Sequence, residues 1–424
     1  MRLLYSALWW VGLPVVLLRL WWRGRKEPGY RRHIPERLGF YQQFAHGELP
    51  SIIWVHAVSV GETRAAQPLV EALLQTYPHH TIVLTHMTAT GRATGAELFS
   101  VHGARVVQCF FPYDLSGICK RFLRYFKPRI CILMETEVWP NMVRQCGRHQ
   151  VPILLANARL SERSLRRGQR FGAMLLEAAA GIDYVAAQSE ADAVRMRLFG
   201  ARHVEVTGSI KFDVAPPAEM IARGEQWRTR FAGRPVLLCA STREGEEELI
   251  LKALLNCNDE NVLIVMVPRH PQRFDEVEAM IKAHGFAMER RSRMGQGRLA
   301  PETQIFLGDS MGEMFAYYAA CDIAFIGGSL LPLGGQNLIE ACTLGKPVLI
   351  GPYTFNFQQI SEDAVISGCA ARVADADELL ICSLSLLQDD AQRHSMGAKA
   401  RIFSQQFRGA TQKTMGLIHH LLDC

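Results

Sequence analysis

The 11 cysteines of this sequence include no C-x-x-C pair, and many stand in apolar runs, as Cys131, Cys239, Cys321 and Cys342 do. That usage excludes a zinc ribbon and a disulfide framework, and it implies buried, reduced thiols in a cytosolic compartment. His86, His102, His419 and His420 lack the spacing with acids that a metal centre needs, so no metal is expected. Ser59 stands in V-S-V-G-E, which does not support a hydrolase nucleophile. Low-complexity blocks and fixed-period repeats are missing, which excludes a disordered chain and a solenoid. Charge of one sign is also lacking: 47 Lys and Arg against 41 Asp and Glu leave a formal net charge of +6. A balance this mild does not choose among nucleic acid, anionic lipid and a phosphorylated substrate. No platform of interleaved aromatic and basic residues appears, so nucleic acid is not an expected partner.

What is present is a chain of 424 residues, 49% hydrophobic and 21% charged, beyond the size at which one core stops growing, so two domains are expected. Residues 1–22, MRLLYSALWWVGLPVVLLRLWW, are apolar except for Arg2 and Arg19, and no later stretch approaches that length of apolarity. About 20 such residues can cross a hydrocarbon core, and Trp9, Trp10, Trp21 and Trp22 suit its interfaces. Arg23, Arg25, Lys26, Arg31 and Arg32 follow at once, which keeps the rest of the chain on the cytoplasmic side and favours anionic inner-membrane lipid as far as Arg37. A cleaved signal peptide would need the positive cluster before the apolar run and small residues at its end. A helix that spans and one that lies in the interface with Arg19 snorkelling both fit.

From residue 52 short apolar strands alternate with helices: IIWVHAV, a helix over 64–75, TIVLTHM, a helix over 91–99, RVVQCFFP and a helix near 115–126. RICILME, PILLANA, YVAAQ and VEVTGSI continue the series. A second begins at PVLLCAST and runs through NVLIVMVPRHP, QIFLGD, IAFIGGS and KPVLIGP. Such alternation predicts an α/β chain of two Rossmann-like domains, each a parallel sheet covered on both faces, meeting at a cleft outside the carboxyl ends of the strands. The expected divisions are an anchor over 1–22, a basic juxtamembrane segment over 23–50, an acceptor-binding domain over 51–212, a proline-bearing linker over 213–232, a nucleotide-binding domain over 233–388 and closing helices over 389–424.

Chemistry-bearing motifs stand at strand ends. In HAVSVGET (56–63) a strand passes through Gly61 into a helix that Glu62 opens. Glu62 is either an acid that complements the helix dipole or a base able to deprotonate a hydroxyl. METEVWPN (134–141) sets Glu135 and Glu137 after a wholly apolar strand. In TGSIKFD (207–213), Lys211 is either a solvated linker residue or a point charge for phosphate or carboxylate. VPRHP (267–271) places Pro268, Arg269 and His270 at a rim, where arginine offers a planar fork to phosphate. GDSMGEM (308–314) is a loop and helix start. GGSLLPLGGQNLIE (327–340) enters a helix through Gly334 and Gly335; it is neither a Walker loop nor G-x-G-x-x-G, and it signals anion binding weakly on its own.

Taken together and in order, the apolar N-terminus, HAVSVGET, METE with WPN, NARLS (157–161), GSIKFD, VPRHP with Arg273 and Phe274, GDSMGE, FIGGSL, the GG-N-L-E segment and GPYTFNF resemble the 3-deoxy-D-manno-octulosonic acid (Kdo) transferases over nearly the whole chain. The resemblance implies a GT-B glycosyltransferase with an N-terminal membrane-anchor helix, which transfers Kdo from CMP-Kdo to lipid IVA in lipopolysaccharide assembly, without a cofactor. It implies Glu62 as the general base for the acceptor 6'-hydroxyl, and Glu135 and Lys211 as transition-state stabilisers. CMP contacts fall on Pro268 and Arg269, on Met311, Gly312 and Glu313, and on Asn337, Leu338, Ile339 and Glu340. Gln336 and Leu338 depart from the family's pattern. A single displacement with a positioned base implies inversion at the anomeric carbon. A two-domain transferase or epimerase using a UDP-sugar shares the architecture but needs neither the apolar N-terminus nor METE, and a nucleotide-sugar sensor without turnover would have no use for Glu62.

Overall fold

The computed structural model describes residues 2–25, 27–41, 51–170, 172–213, 215–256, 261–295 and 297–423. Lys26 and 42–50 of the basic segment, and Val214 of the expected linker, lie outside them. Two compact units divide the chain: Met1–Val214 with Phe407–Cys424, and Ala215–Gln406.

The first unit holds seven parallel strands: β1 (Ile52–His56), β2 (Thr81–His86), β3 (Val106–Phe110), β4 (Pro128–Met134), β5 (Ile153–Ala158), β6 (Tyr184–Ala187) and β7 (Val204–Val206), in the order β3-β2-β1-β4-β5-β6-β7. Every residue of β1 is buried. Trp54 joins one core layer with Phe111, Phe122 and Leu133, while Ile53 and Val55 join the other with Leu69, Leu84 and Ile132. Helices cover both faces, which is why these strands read as unbroken apolar runs. At ~1.5–3 kcal/mol for each fully buried large aliphatic or aromatic side chain, these two layers fix the strand ends on which the polar groups stand.

The second unit repeats the plan with β8 (Val236–Thr242), β9 (Leu263–Pro268), β10 (Met288–Arg290), β11 (Ile305–Leu307), β12 (Ile323–Ile326), β13 (Val348–Ile350) and β14 (Ala370–Arg372), ordered β10-β11-β9-β8-β12-β13-β14 and all parallel. The sequence pattern misses β10 and β14, which are three-residue edge strands. In both sheets order reverses beside the first strand, the topological switch point at which such folds bind ligands.

The expected linker over 213–232 proves to contain a helix, Ala218–Arg230, that belongs to the second unit. Gly224 lets it approach the helix Met314–Ala320 so closely that a Cβ there would lie 2.5 Å from the Ala316 carbonyl oxygen. Trp227 then packs on Tyr317 at 4.8 Å and Phe231 on Phe306 at 5.4 Å. The closing helices do not form one block. Asp390–Gln406 stays with the second unit and Ala410–Asp423 packs on the first, where Asp213 accepts from the backbone N–H groups of Gly409 and Thr411.

The N-terminal helix, Arg2–Arg23, is long and apolar enough to cross a membrane, by length and composition. Its side chains divide into two faces. Tyr5 donates to Asp114 at 2.9 Å, Ser6 accepts from Asn141 at 3.3 Å, and Trp9, Leu13, Leu17 and Leu20 pack with Tyr113, Leu115 and Ile118. Leu4, Leu8, Val11, Val15, Leu18 and Trp22 form an exposed stripe at helical spacing. Beyond it, Glu36 is fully buried, accepting from Arg92 at 2.6 Å and from the Phe110 N–H at 2.7 Å. Arg37, expected to favour lipid, is instead buried over the Phe110 ring and donates to the Met87 carbonyl at 3.0 Å.

Candidate active site

Glu62, Glu135 and Lys211 all stand at the carboxyl edge of the first sheet. The helix after β1 begins at Val60, four residues earlier than the sequence pattern suggests, with Ser59 at its N-cap. Glu62 falls in its first turn and reaches back to accept from the Val58 N–H at 2.8 Å and the Ser59 hydroxyl at 3.3 Å, in the manner of a capping box. His86 holds the Ala57 carbonyl at 3.0 Å, and Thr88 donates to that of Val58 at 3.2 Å, so the loop carrying the carboxylate is braced from beneath. His56, in the same motif, is fully buried on Phe111, and burial reinforced by His86 pushes its imidazole down to about 3. It is therefore a neutral packing residue at physiological pH.

Burial drives the Glu62 carboxyl up to about 7, with Glu137 and Glu135 adding to the rise, against the opposing pull of the Val58 N–H. Burial likewise raises Glu137, which accepts from the Trp139 indole at 2.7 Å. Glu135 directly follows β4 with a left-handed φ of 63°, a conformation that strains a non-glycine residue and is common where a side chain must be aimed. Its N–H donates to the Ala156 carbonyl at 2.9 Å. The Lys211 ammonium lies 2.6 Å from Glu135 Oε1, an ion pair lying outside hydrogen-bond angles. Lys211 itself sits on the short turn Ile210–Phe212, whose Ile210 is buried among the core side chains behind β1. The structure thus brings Glu62, Glu135 and Glu137 within electrostatic reach of one another and Lys211 onto Glu135.

In the second unit the three motifs expected to contact CMP also share the carboxyl edge. Pro268 ends β9 and Arg269 is exposed beyond it, anchored by its N–H to the Thr242 carbonyl at 2.9 Å. Arg269 acts on Glu340, whose carboxyl burial raises while Arg269 and Asn337 oppose the rise. Met311 is exposed, and Gly312 takes a left-handed φ of 79°. Burial alone would raise Glu313; the Ser310 hydroxyl, Arg291 and Arg223 outweigh it and hold the carboxyl below its ordinary range. Leu338 and Ile339 have buried side chains, so only their backbone can face a nucleotide, and the Ile339 N–H already donates to Asn337 Oδ1 at 3.0 Å.

Two features escaped the sequence pattern. Residues 308–312 spell G-D-S-M-G, a literal nucleophile-elbow match, but the Ser310 hydroxyl is bonded to Tyr317 Oη at 2.7 Å and has no imidazole partner among the described residues. Glu246, fully buried, accepts from the N–H groups of Gly328, Ser329 and Leu330 at 2.6, 2.9 and 2.9 Å and from Arg243 at 2.9 Å. The first half of the glycine-rich segment is therefore an internal carboxylate seat, not a phosphate seat. The helix that follows, Ile339–Thr343, is five residues long, so its dipole is small and offers an anion little positive charge of its own.

Two seven-stranded Rossmann-like units carrying these strand-end groups give the chain the GT-B glycosyltransferase fold. A solved glycosyltransferase from Rickettsia africae shares the fold with a TM-score of 0.59 at 14% identity, covering 89% of this chain and 99% of its own. The family model described as 3-deoxy-D-manno-octulosonic-acid transferase (kdotransferase) matches residues 32–214. The 3-deoxy-D-manno-octulosonic acid transferase of Bordetella pertussis is 44% identical over 96% of both chains, and that of Haemophilus influenzae is 37% identical over 100% of this chain and 99% of its own. The chain belongs to the Kdo transferase family.

Proposed function

We propose that this enzyme transfers Kdo from CMP-Kdo to lipid IVA in lipopolysaccharide assembly, at the cytoplasmic face of the inner membrane, by a metal-independent displacement that inverts the anomeric carbon. The observation that carries the mechanism is the Glu62 carboxyl, pushed up to about 7 on a braced helix start. A base of that strength accepts a proton well near neutral pH. The acceptor 6'-hydroxyl attacks the anomeric carbon as its proton passes to Glu62. The new C–O bond forms as the bond to the CMP phosphate breaks, and the electron pair leaves on that phosphate. Lys211, oriented by Glu135, and Arg269 supply positive charge against the negative charge that develops. Pro268, Arg269, Met311, Gly312, Glu313 and the backbone and polar side chains over 337–340 hold the nucleotide, with Glu313 set by its two arginines.

The N-terminal helix lies flat in this reading. Docked on the first unit from Tyr5 to Leu20, it offers only its exposed stripe to lipid, as an interfacial helix does. A UDP-sugar donor is the alternative, and one assay separates the two. Detergent-solubilised protein is given lipid IVA and CMP-Kdo generated in place, with and without a chelator, and the lipid is read by mass. Gain of one or more Kdo units regardless of chelator is expected; unchanged lipid beside a verified donor supply overturns the assignment and directs a screen of UDP-sugars.

A further inference from the structure

We infer that Asn157 is a positioning residue that sets Lys211 against Glu135, an inference resting on the roles proposed for those two residues. Asn157 lies at the end of β5, fully buried, with a left-handed φ of 54°, at the point where the pairing register of β5 with β6 shifts. Asparagine is among the few residues with a side chain that adopt this conformation readily. The residue before it, Ala156, accepts the Glu135 N–H at 2.9 Å, so Asn157 is one step along the chain from the backbone that holds the strained carboxylate.

The side chain points to the other partner. Asn157 Oδ1 accepts from the Ile210 N–H at 3.1 Å and from the Ser209 hydroxyl at 3.4 Å. A backbone N–H can only donate, so the orientation of the amide is settled: its oxygen faces the turn Ile210–Phe212. The Asn157 carbonyl is held in turn by Gln188 Nε2 at 2.9 Å. Lys211 is the next residue on that turn, and the turn packs against the helix that carries Glu62 in its first turn. Among the described residues, Asn157 is thus the side chain that ties the end of β5, which holds Glu135, to the backbone that carries the ammonium. Its Nδ2 is left buried with no partner, a cost that an aliphatic residue would avoid. A residue present only for packing has no need of that donor, whereas an uncharged amide that supplies the oxygen brings it along.

Removing the oxygen frees the Lys211 turn by a fraction of an ångström to an ångström, and misplacement on that scale costs on the order of 10- to 100-fold in rate. The test is a double-variant cycle on the full-length enzyme with CMP-Kdo and lipid IVA. Asn157→Gly keeps the left-handed backbone unstrained and serves beside Asn157→Ala, should the latter fold poorly. Asn157→Gly is expected to lower kcat on the order of 10- to 100-fold with KM for the donor unchanged. In a Lys211→Met background the same change is expected to cost nothing further, because the group it positions is gone. A kcat left intact by Asn157→Gly, or losses that multiply fully in the double variant, overturns the inference. A wild-type enzyme without transfer defeats the proposed function itself, which is a separate and visible result.

Discussion

Replacing Glu62 with Gln separates the proposed base from the helix cap. The amide oxygen of Gln still accepts the Val58 N–H that Glu62 Oε2 takes at 2.8 Å, so the fold is kept and only the titration is lost. Moving a carboxyl from its ordinary 4.5 to about 7 corresponds to about 3 kcal/mol at ~1.4 kcal/mol per pH unit. Solvent screening at this half-buried site reduces that to roughly 1–2 kcal/mol. The sign follows from the protons bound. Between pH 4.5 and about 7 the folded state holds a proton on Glu62 that the unfolded state has released, so the wild type loses stability as pH rises through this window. Glu62→Gln has no such slope, and its advantage over the wild type grows from near zero at the acid end to roughly 1–2 kcal/mol above about pH 7. Activity moves the other way. Wild-type kcat/KM rises with pH through about 7 as the base ionises, and the variant loses on the order of 10²–10⁴ in kcat with donor affinity kept. Denaturant melts at a series of pH values and single-turnover transfer to lipid IVA read the two effects. A variant that transfers at nearly the wild-type rate, or parallel stability curves across the window, would refute the reasoning.

Three further tests probe two buried carboxylates and the N-terminal helix. Glu246→Ala strips the acceptor from three buried N–H groups and a part-buried fourth and is expected to cost roughly 3–5 kcal/mol in urea unfolding; an unchanged midpoint contradicts that role. Arg92→Met leaves the Glu36 carboxylate buried without its 2.6 Å partner, with a loss of about 3–5 kcal/mol, part of which Glu36→Gln in the same chain should restore. Lys at Val11, Val15 and Leu18 together disrupts the exposed stripe. At ~1.5–3 kcal/mol for each large apolar side chain withdrawn from lipid, sedimentation with anionic vesicles should fall at least about tenfold, and unaltered sedimentation counts against a helix lying in the interface.

Strands of the first sheet were legible because burial on both faces writes them as continuous apolar runs, as in Ile52–His56 and Ile153–Ala158. Met288–Arg290 and Ala370–Arg372 were not, since three-residue edge strands carrying charge have no such run. A proline pair suggested a linker over 213–232, and the helix Ala218–Arg230 overrides it because Gly224 and Trp227 are answered by Ala316 and Tyr317, far along the chain. Strand ends told where polar groups would stand but not which would meet. The Lys211 and Glu135 pair, the carboxylate seat of Glu246 and the Asn157 tie are contacts between distant segments, to which local spacing is blind.

On the proposed mechanism, the two readings of Glu62 that spacing left open describe one arrangement. As a cap, the carboxylate takes the Val58 N–H and the Ser59 hydroxyl at a positive helix end, and both interactions favour its charged form. A cap in water would therefore titrate below its ordinary value. Glu62 titrates above it because burial and the neighbouring Glu137 and Glu135 carboxylates outweigh the capping bonds. Capping fixes where the oxygen is and the neighbours fix how strongly it holds a proton, and a general base needs both. Lys211 closes the argument from the other side. By pairing with Glu135 at 2.6 Å it offsets one of the two charges that press on Glu62, so drawing Lys211 toward an incoming anion would leave Glu135 less neutralised and make Glu62 a stronger base as the donor arrives.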